Sequence, residues 1–224
     1  MASLVKRTEG NLLVVELART THGNALNREL QQQLAETWRA FEDDDSLRVA
    51  VLHGAPEVFS IGHDVAELAG DLSLSPLPSD DLYPLHISKP VIAAVEGPCY
   101  GLGFELALSC DLRIAGEGAL FGFADAHLQV PYRLASVLLP RMTPMGTSLE
   151  LLFSGKVLSA AQMHAALLLS EVTAQGGAIS AAIATAHAMS RRFAQAPSFR
   201  KRHIWSLSGM SLPAAMNLAR MPCG

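Results

Sequence analysis

Cysteine is scarce in this 224-residue chain: Cys99, Cys110 and Cys223 make three, and their separations match no metal-binding pattern. So small and odd a set excludes a disulfide framework and a structural zinc site, and it suits a reducing compartment, most simply the cytoplasm. Charge of one sign is lacking too. Seventeen Lys and Arg against 21 Asp and Glu leave a net charge of −4, with no basic run to attract nucleic acid. No apolar segment reaches the ~20 residues a membrane-spanning helix needs. Met1 to Arg7 carries charge and is followed by Glu9, where a secretory leader would place an apolar core. Phosphate-loop fingerprints are incomplete. Gly101-Leu102-Gly103 has no third glycine of a dinucleotide motif, and Ser154-Gly155-Lys156 has neither the upstream glycine nor the following Ser or Thr. No serine stands beside a suitable His–Asp pair, and no metal cluster emerges.

What is present is apolar material. Half the residues are hydrophobic and 17% charged, enough for one sizeable core with apolar surface left over, which favours self-association. Leu12 to Leu17, Val49 to His53, Val91 to Val95, Asp111 to Ala115 and Ala119 to Phe123 read as short buried strands. Between the first two, Leu26, Leu30, Leu34, Trp38 and Phe41 recur at helical spacing behind Asn27, a suitable N-cap. Val65 to Leu68 is a short helical patch, and Gly70 to Pro84, rich in Ser, Pro and Asp, reads as a surface loop. Helices are expected over Leu134 to Pro140, Thr147 to Phe153, Ser159 to Leu169 and Ile179 to Phe193. Strand and helix alternate through residue 130 and helices follow, which is the pattern of an α/β protein. The division expected is a core with its following helices over 1–193 and a short helical tail over 194–224.

The chemistry concentrates at two glycine-bearing turns, Phe59-Ser60-Ile61-Gly62-His63-Asp64 and Gly101-Leu102-Gly103-Phe104-Glu105, each behind a strand and ahead of a helical patch. Backbone N–H groups at a helix start suit negative charge. Were one N–H from each turn to converge on a single oxygen, they would stabilise an enolate or tetrahedral oxyanion, and one such donor is worth about 3 kcal/mol. Glu105 enters its helix among Phe104, Leu106 and Leu108, placing a carboxylate beside that site.

These turns, with Lys89-Pro90-Val91-Ile92-Ala93-Ala94-Val95-Glu96-Gly97 and the run Gly101 to Asp111, resemble the enoyl-CoA hydratase/isomerase (crotonase) superfamily. Ser154-Gly155-Lys156 followed by Leu158-Ser159-Ala160 is similar to that family's later signature, and the likeness spans about Leu12 to Phe193. It implies a spiral of ββα units followed by helices that build trimers, often paired into hexamers. It implies an acyl-CoA thioester as substrate, with CoA as its only cofactor-like part. By resemblance the backbone N–H groups of His63 and Leu102 are the oxyanion donors, and Glu105 is the first of two catalytic carboxylates. Ser60, Ile61, Gly62, Asp64, Gly101 and Gly103 fall where substrate is bound. Leu102 replaces a family glycine, and its side chain is expected to need room beside the thioester.

The second carboxylate falls on Asp125, where the family commonly has glutamate, about 1.5 Å longer in reach, and Gln129 to Arg133 looks one residue short. Either the backbone compensates or full hydratase activity is lost. His127 is an alternative acid–base group; Tyr83 and His86 could line the acyl pocket, with loop packing as the plainer role, and Asp64 could simply fix its turn. The function expected is water addition to a 2-enoyl-CoA. The alternatives are an isomerase or decarboxylase on the same fold, or a silent acyl-CoA binder, which Asp125, Leu102 and the brief tail favour.

Overall fold

Val49 to Leu52 and Val91 to Val95 are apolar throughout, as strands covered on both faces must be, and they lie side by side inside a parallel sheet. The computed structural model describes residues 3–68, 79–123, 132–193 and 201–219. In chain order these form β1 (Leu4–Glu9), β2 (Leu12–Leu17), α1 (Arg28–Asp43), β3 (Val49–His53), α2 (Val65–Leu68), β4 (Val91–Val95), β5 (Pro98–Tyr100), α3 (Gly101–Ser109) and β6 (Leu112–Gly116). There follow β7 (Leu120–Gly122), α4 (Arg133–Met142), α5 (Met145–Ser154), β8 (Leu158–Ser159), α6 (Ala160–Ala165), β9 (Glu171–Thr173), α7 (Ala178–Phe193), α8 (Lys201–Ser208) and α9 (Leu212–Ala219).

The larger sheet runs β1-β2-β3-β4-β6-β9, antiparallel between β1 and β2 and parallel elsewhere. Successive side chains of a strand face opposite sides. Val49, Val51, Ile92, Ala94 and Ile114 meet Ala178, Ala182 and Ala186 of α7, whose small side chains every fourth residue let the helix lie close. Ala50, Leu52, Val91, Ala93 and Val95 face the main core, which Leu30, Leu34, Trp38 and Phe41 of α1 and Phe104 of α3 complete. A smaller sheet, β5-β7-β8, packs against α3.

One strand was not anticipated, and two sequence expectations are corrected. β1 lacks a strand pattern because most of it is exposed; it forms by pairing residue for residue with β2. The helix expected to reach Leu169 stops at Ala165, because Leu167 adopts a left-handed backbone with φ of 61°. The described end of the expected surface loop is surface only as far as Asp81: Asp80 to Leu82 make a 3₁₀ turn, and Leu82 and Tyr83 are buried. Trp38 supplies the reason, since its indole N–H donates to the Leu82 carbonyl at 2.9 Å and draws the segment onto α1.

Helix α3 carries the site and is held from behind. Arg113 on β6 is buried, and its guanidinium donates to the carbonyls of Ala107, Leu108 and Cys110 at 3.3, 3.2 and 2.6 Å, and to that of Leu168 at 2.7 Å. The last carbonyls of a helix have no partner within it. Here one cation serves those of Ala107 and Leu108 and the Cys110 carbonyl just beyond, and sits at the negative end of the helix dipole.

Candidate active site

The two glycine turns are sealed to each other. The Pro98 carbonyl accepts from the N–H groups of Phe59 and Ser60, both at 3.1 Å, and the Tyr100 N–H donates to the Ser60 carbonyl at 2.9 Å. Ser60 spends its hydroxyl on the scaffold, donating to the Asn24 carbonyl at 2.8 Å and accepting from the Gly62 N–H at 3.2 Å. Gly62 has φ of 101°, a conformation that side chains resist. Gly103 is the point of contact between the turns: a Cβ there would lie 2.6 Å from the Ser60 Cβ and Oγ. Gly103→Ala is therefore expected to cost about 1–3 kcal/mol by overpacking. A thermal melt should fall by roughly 2–4 °C per kcal/mol at this chain length, and an unchanged melt would show that the turns are free to part.

Glu105 lies at the centre of the resulting cleft. It is 2% exposed, on the first turns of α3, and it lines a cavity of about 170 Å³ together with His63, Asp80, Tyr83, Arg133, Leu134 and Val137. One carboxylate oxygen accepts from the Ala135 N–H at the start of α4 at 2.8 Å; the other accepts from the Tyr83 hydroxyl at 3.1 Å. Burial pushes its pKa up, while the Ala135 N–H, the Tyr83 hydroxyl, the nearby His63 and the Leu134 N–H pull it partway back. A carboxylate raised by burial yet held by donors is suited to taking a proton near neutrality. Burial and the Glu105 charge push the Tyr83 hydroxyl upward, so it serves as a neutral donor. At the mouth, Arg133 pairs with Asp80 at 3.5 Å, both well exposed.

Of the other expected site residues, some line this cleft and others serve the scaffold around it. His63 lines it from the first turn, and Gly101 opens α3 with φ of 51°. Leu102 is in the first turn of α3, where an N–H has no acceptor within the helix. Its side chain departs from expectation: it is fully buried in the main core instead of crowding the cleft, because that face of α3 points inward. Ile61 is exposed beside Gly23, and Asp64 is committed to an ion pair with Arg19 at 2.5 Å and to the Ala66 N–H at 3.0 Å. Asp125 and His127 lie outside the described residues. Tyr83 does more than pack, and His86 lines a neighbouring hollow. Sequence reading missed Asn24, buried with φ of 53°, whose side-chain N–H groups donate to the Val58 and Phe59 carbonyls at 3.2 and 3.1 Å and hold the first turn. An asparagine beside a glycine was the available sign.

Stacked ββα units, paired glycine turns and a buried carboxylate at a helix start define the crotonase-like class of fold. The chain belongs to the enoyl-CoA hydratase/isomerase family, whose model matches residues 7–221. It is 32% identical over 198 residues to enoyl-CoA hydratase EchA19 of Mycobacterium tuberculosis, covering 84% of this chain and 74% of that one. It is 30% identical over 222 residues to 2,3-dehydroadipyl-CoA hydratase of Escherichia coli, covering 96% and 87%. An enoyl-CoA hydratase crystal structure from Polaromonas sp. JS666 superposes with a TM-score of 0.85 at 28% identity, covering 98% and 89%.

Proposed function

We propose that this protein adds water across the double bond of a 2-enoyl thioester of coenzyme A. The observation that carries the reading is the Glu105 carboxylate, buried in the cleft and aimed by Ala135 and Tyr83, beside the start of α3. Relatives named enoyl-CoA hydratase and 2,3-dehydroadipyl-CoA hydratase support it. In this reading the thioester carbonyl rests on the N–H groups of His63 and Leu102, and CoA runs along Ser60 to Asp64 and past Gly101 and Gly103. Ionised Glu105 takes a proton from water as its oxygen bonds to C3. Negative charge collects on the thioester oxygen, and the α-carbon then receives a proton from Asp125. Each positioned acid or base supplies about 10²–10⁴ in rate. The chemistry calls for no resident cofactor or metal.

The same proposal includes assembly. Ile204, Leu212 and Met216 on α8 and α9 are more than half exposed, apolar area that a trimer or a hexamer would cover. A cytoplasmic setting fits Cys99 and Cys110, both free and buried.

The test is incubation with crotonyl-CoA. Loss of the conjugated thioester absorbance, with a hydroxyacyl-CoA recovered, is the expected result. Recovery of unchanged substrate, with CoA binding intact by calorimetry, would replace the hydratase with a silent binder. Shift of the double bond or release of carbon dioxide from a suitable thioester would mark an isomerase or a decarboxylase.

A further inference from the structure

Two hollows meet at one side chain. The catalytic cleft of about 170 Å³ and a second hollow of about 280 Å³ between α1 and the segment ahead of β4 share Tyr83, alone among the described residues that line them. The second hollow has an apolar floor of Ala35, Trp38 and Ile87, and its rim is charged, with Arg39 and Asp81 joined as an ion pair. Tyr83 is buried, and its hydroxyl is tied to Glu105 at 3.1 Å.

The partition is fixed in place. On one side the Trp38 indole holds the Leu82 carbonyl at 2.9 Å. On the other, Lys201 of α8, itself buried, donates to the Pro84 carbonyl at 2.6 Å and pairs with Asp111 at 3.0 Å. Both neighbours of Tyr83 are thus anchored, and a swinging gate is not what this geometry builds.

We propose that Tyr83 is the specificity-determining wall of the acyl site: it ends the cleft, confines the enzyme to short acyl chains, and closes off a second hollow that would otherwise take their continuation. The inference rests on the acyl-CoA reading above. Each methylene brought under apolar cover is worth about fourfold in binding, so two that gain cover in the opened hollow are worth roughly 15-fold. The charged rim limits the gain to a few methylenes.

The experiment compares kcat/KM on 2-enoyl-CoAs of four, eight and twelve carbons. Wild type should favour four carbons. Tyr83→Ala should lose overall rate, because Glu105 loses a donor, yet raise the eight-to-four ratio on the order of tenfold. Tyr83→Leu, which retains more apolar bulk, should do so to a smaller degree and serves if the alanine variant does not fold. Tyr83→Phe keeps the wall and drops the hydroxyl. Its chain-length ratio should match wild type while the acid limb of its pH profile moves up, since the hydroxyl holds the Glu105 pKa down. Ala35→Phe added to Tyr83→Ala should refill the second hollow and restore the short-chain preference. Wild type that turns over crotonyl-CoA, beside small-residue variants with unchanged ratios, would overturn the wall alone. A wild type inactive on all three chain lengths would overturn the hydratase reading with it.

Discussion

Glu105→Gln should lower turnover of crotonyl-CoA by about 10²–10⁴, the usual worth of a placed base, while the protein becomes no less stable at neutral pH. The second half follows from burial. The folded-state pKa of Glu105 lies above its ordinary value of 4.5. A raised carboxyl pKa favours folding below the unfolded value, and that contribution is lost as pH rises through the folded value. Ionised Glu105 therefore opposes folding at neutral pH, and glutamine does not. Glutamine can still accept from the Ala135 N–H, and its own N–H can donate to the Tyr83 oxygen. The melting difference between variant and wild type should widen as pH rises above 4.5. A variant that keeps its turnover would remove Glu105 from the mechanism. One that loses both activity and several degrees of stability would make it chiefly the cap of α4.

The other large effect is at the back of the same helix. Arg113→Leu should destabilise the fold by about 3 kcal/mol or more, because the buried carbonyls of Leu108, Cys110 and Leu168 lose the guanidinium, Ala107 alone keeping a second donor in the Cys110 N–H, and an orphaned acceptor costs about 1–3 kcal/mol. Urea denaturation measures it directly, and a loss under about 1 kcal/mol would mean that water replaces the guanidinium. Arg113→Lys should recover part of the loss, since an ammonium has three donors but no fork to span several carbonyls. Arg113 makes no contact with the cleft residues described above, so the surviving folded fraction should retain the pH profile of wild type.

The two ends of α3 were unequally legible. Val49–His53, Val91–Val95 and the Asn27 cap could be read because apolar runs and capping side chains act on neighbouring residues. The glycine turns could be read for the same reason: a turn that needs a φ such as the 101° of Gly62 calls locally for glycine. Glu105 stood out as a carboxylate among Phe104, Leu106 and Leu108. Arg113 did not, because within its strand nothing distinguishes an inward guanidinium from an outward one; only the end of α3 arriving above it does. Tyr83 could be named as a possible lining residue, but its burial and its bond to Glu105 were hidden by composition. The Ser, Pro and Asp around it read as loop, and the indole that buries its neighbour is 44 residues away.

By itself the sequence determined the family, the alternating core and the two turns, along with the carboxylate that enters the second. These are written in periodicity and local backbone preference, which neighbouring residues decide among themselves. Tertiary structure alone decided that the turns abut through Gly103 and Ser60, that Glu105 meets α4 and Tyr83, and that Tyr83 divides two hollows. A buried polar group takes its partner from whichever distant segment closes over it, and no spacing along the chain encodes that meeting.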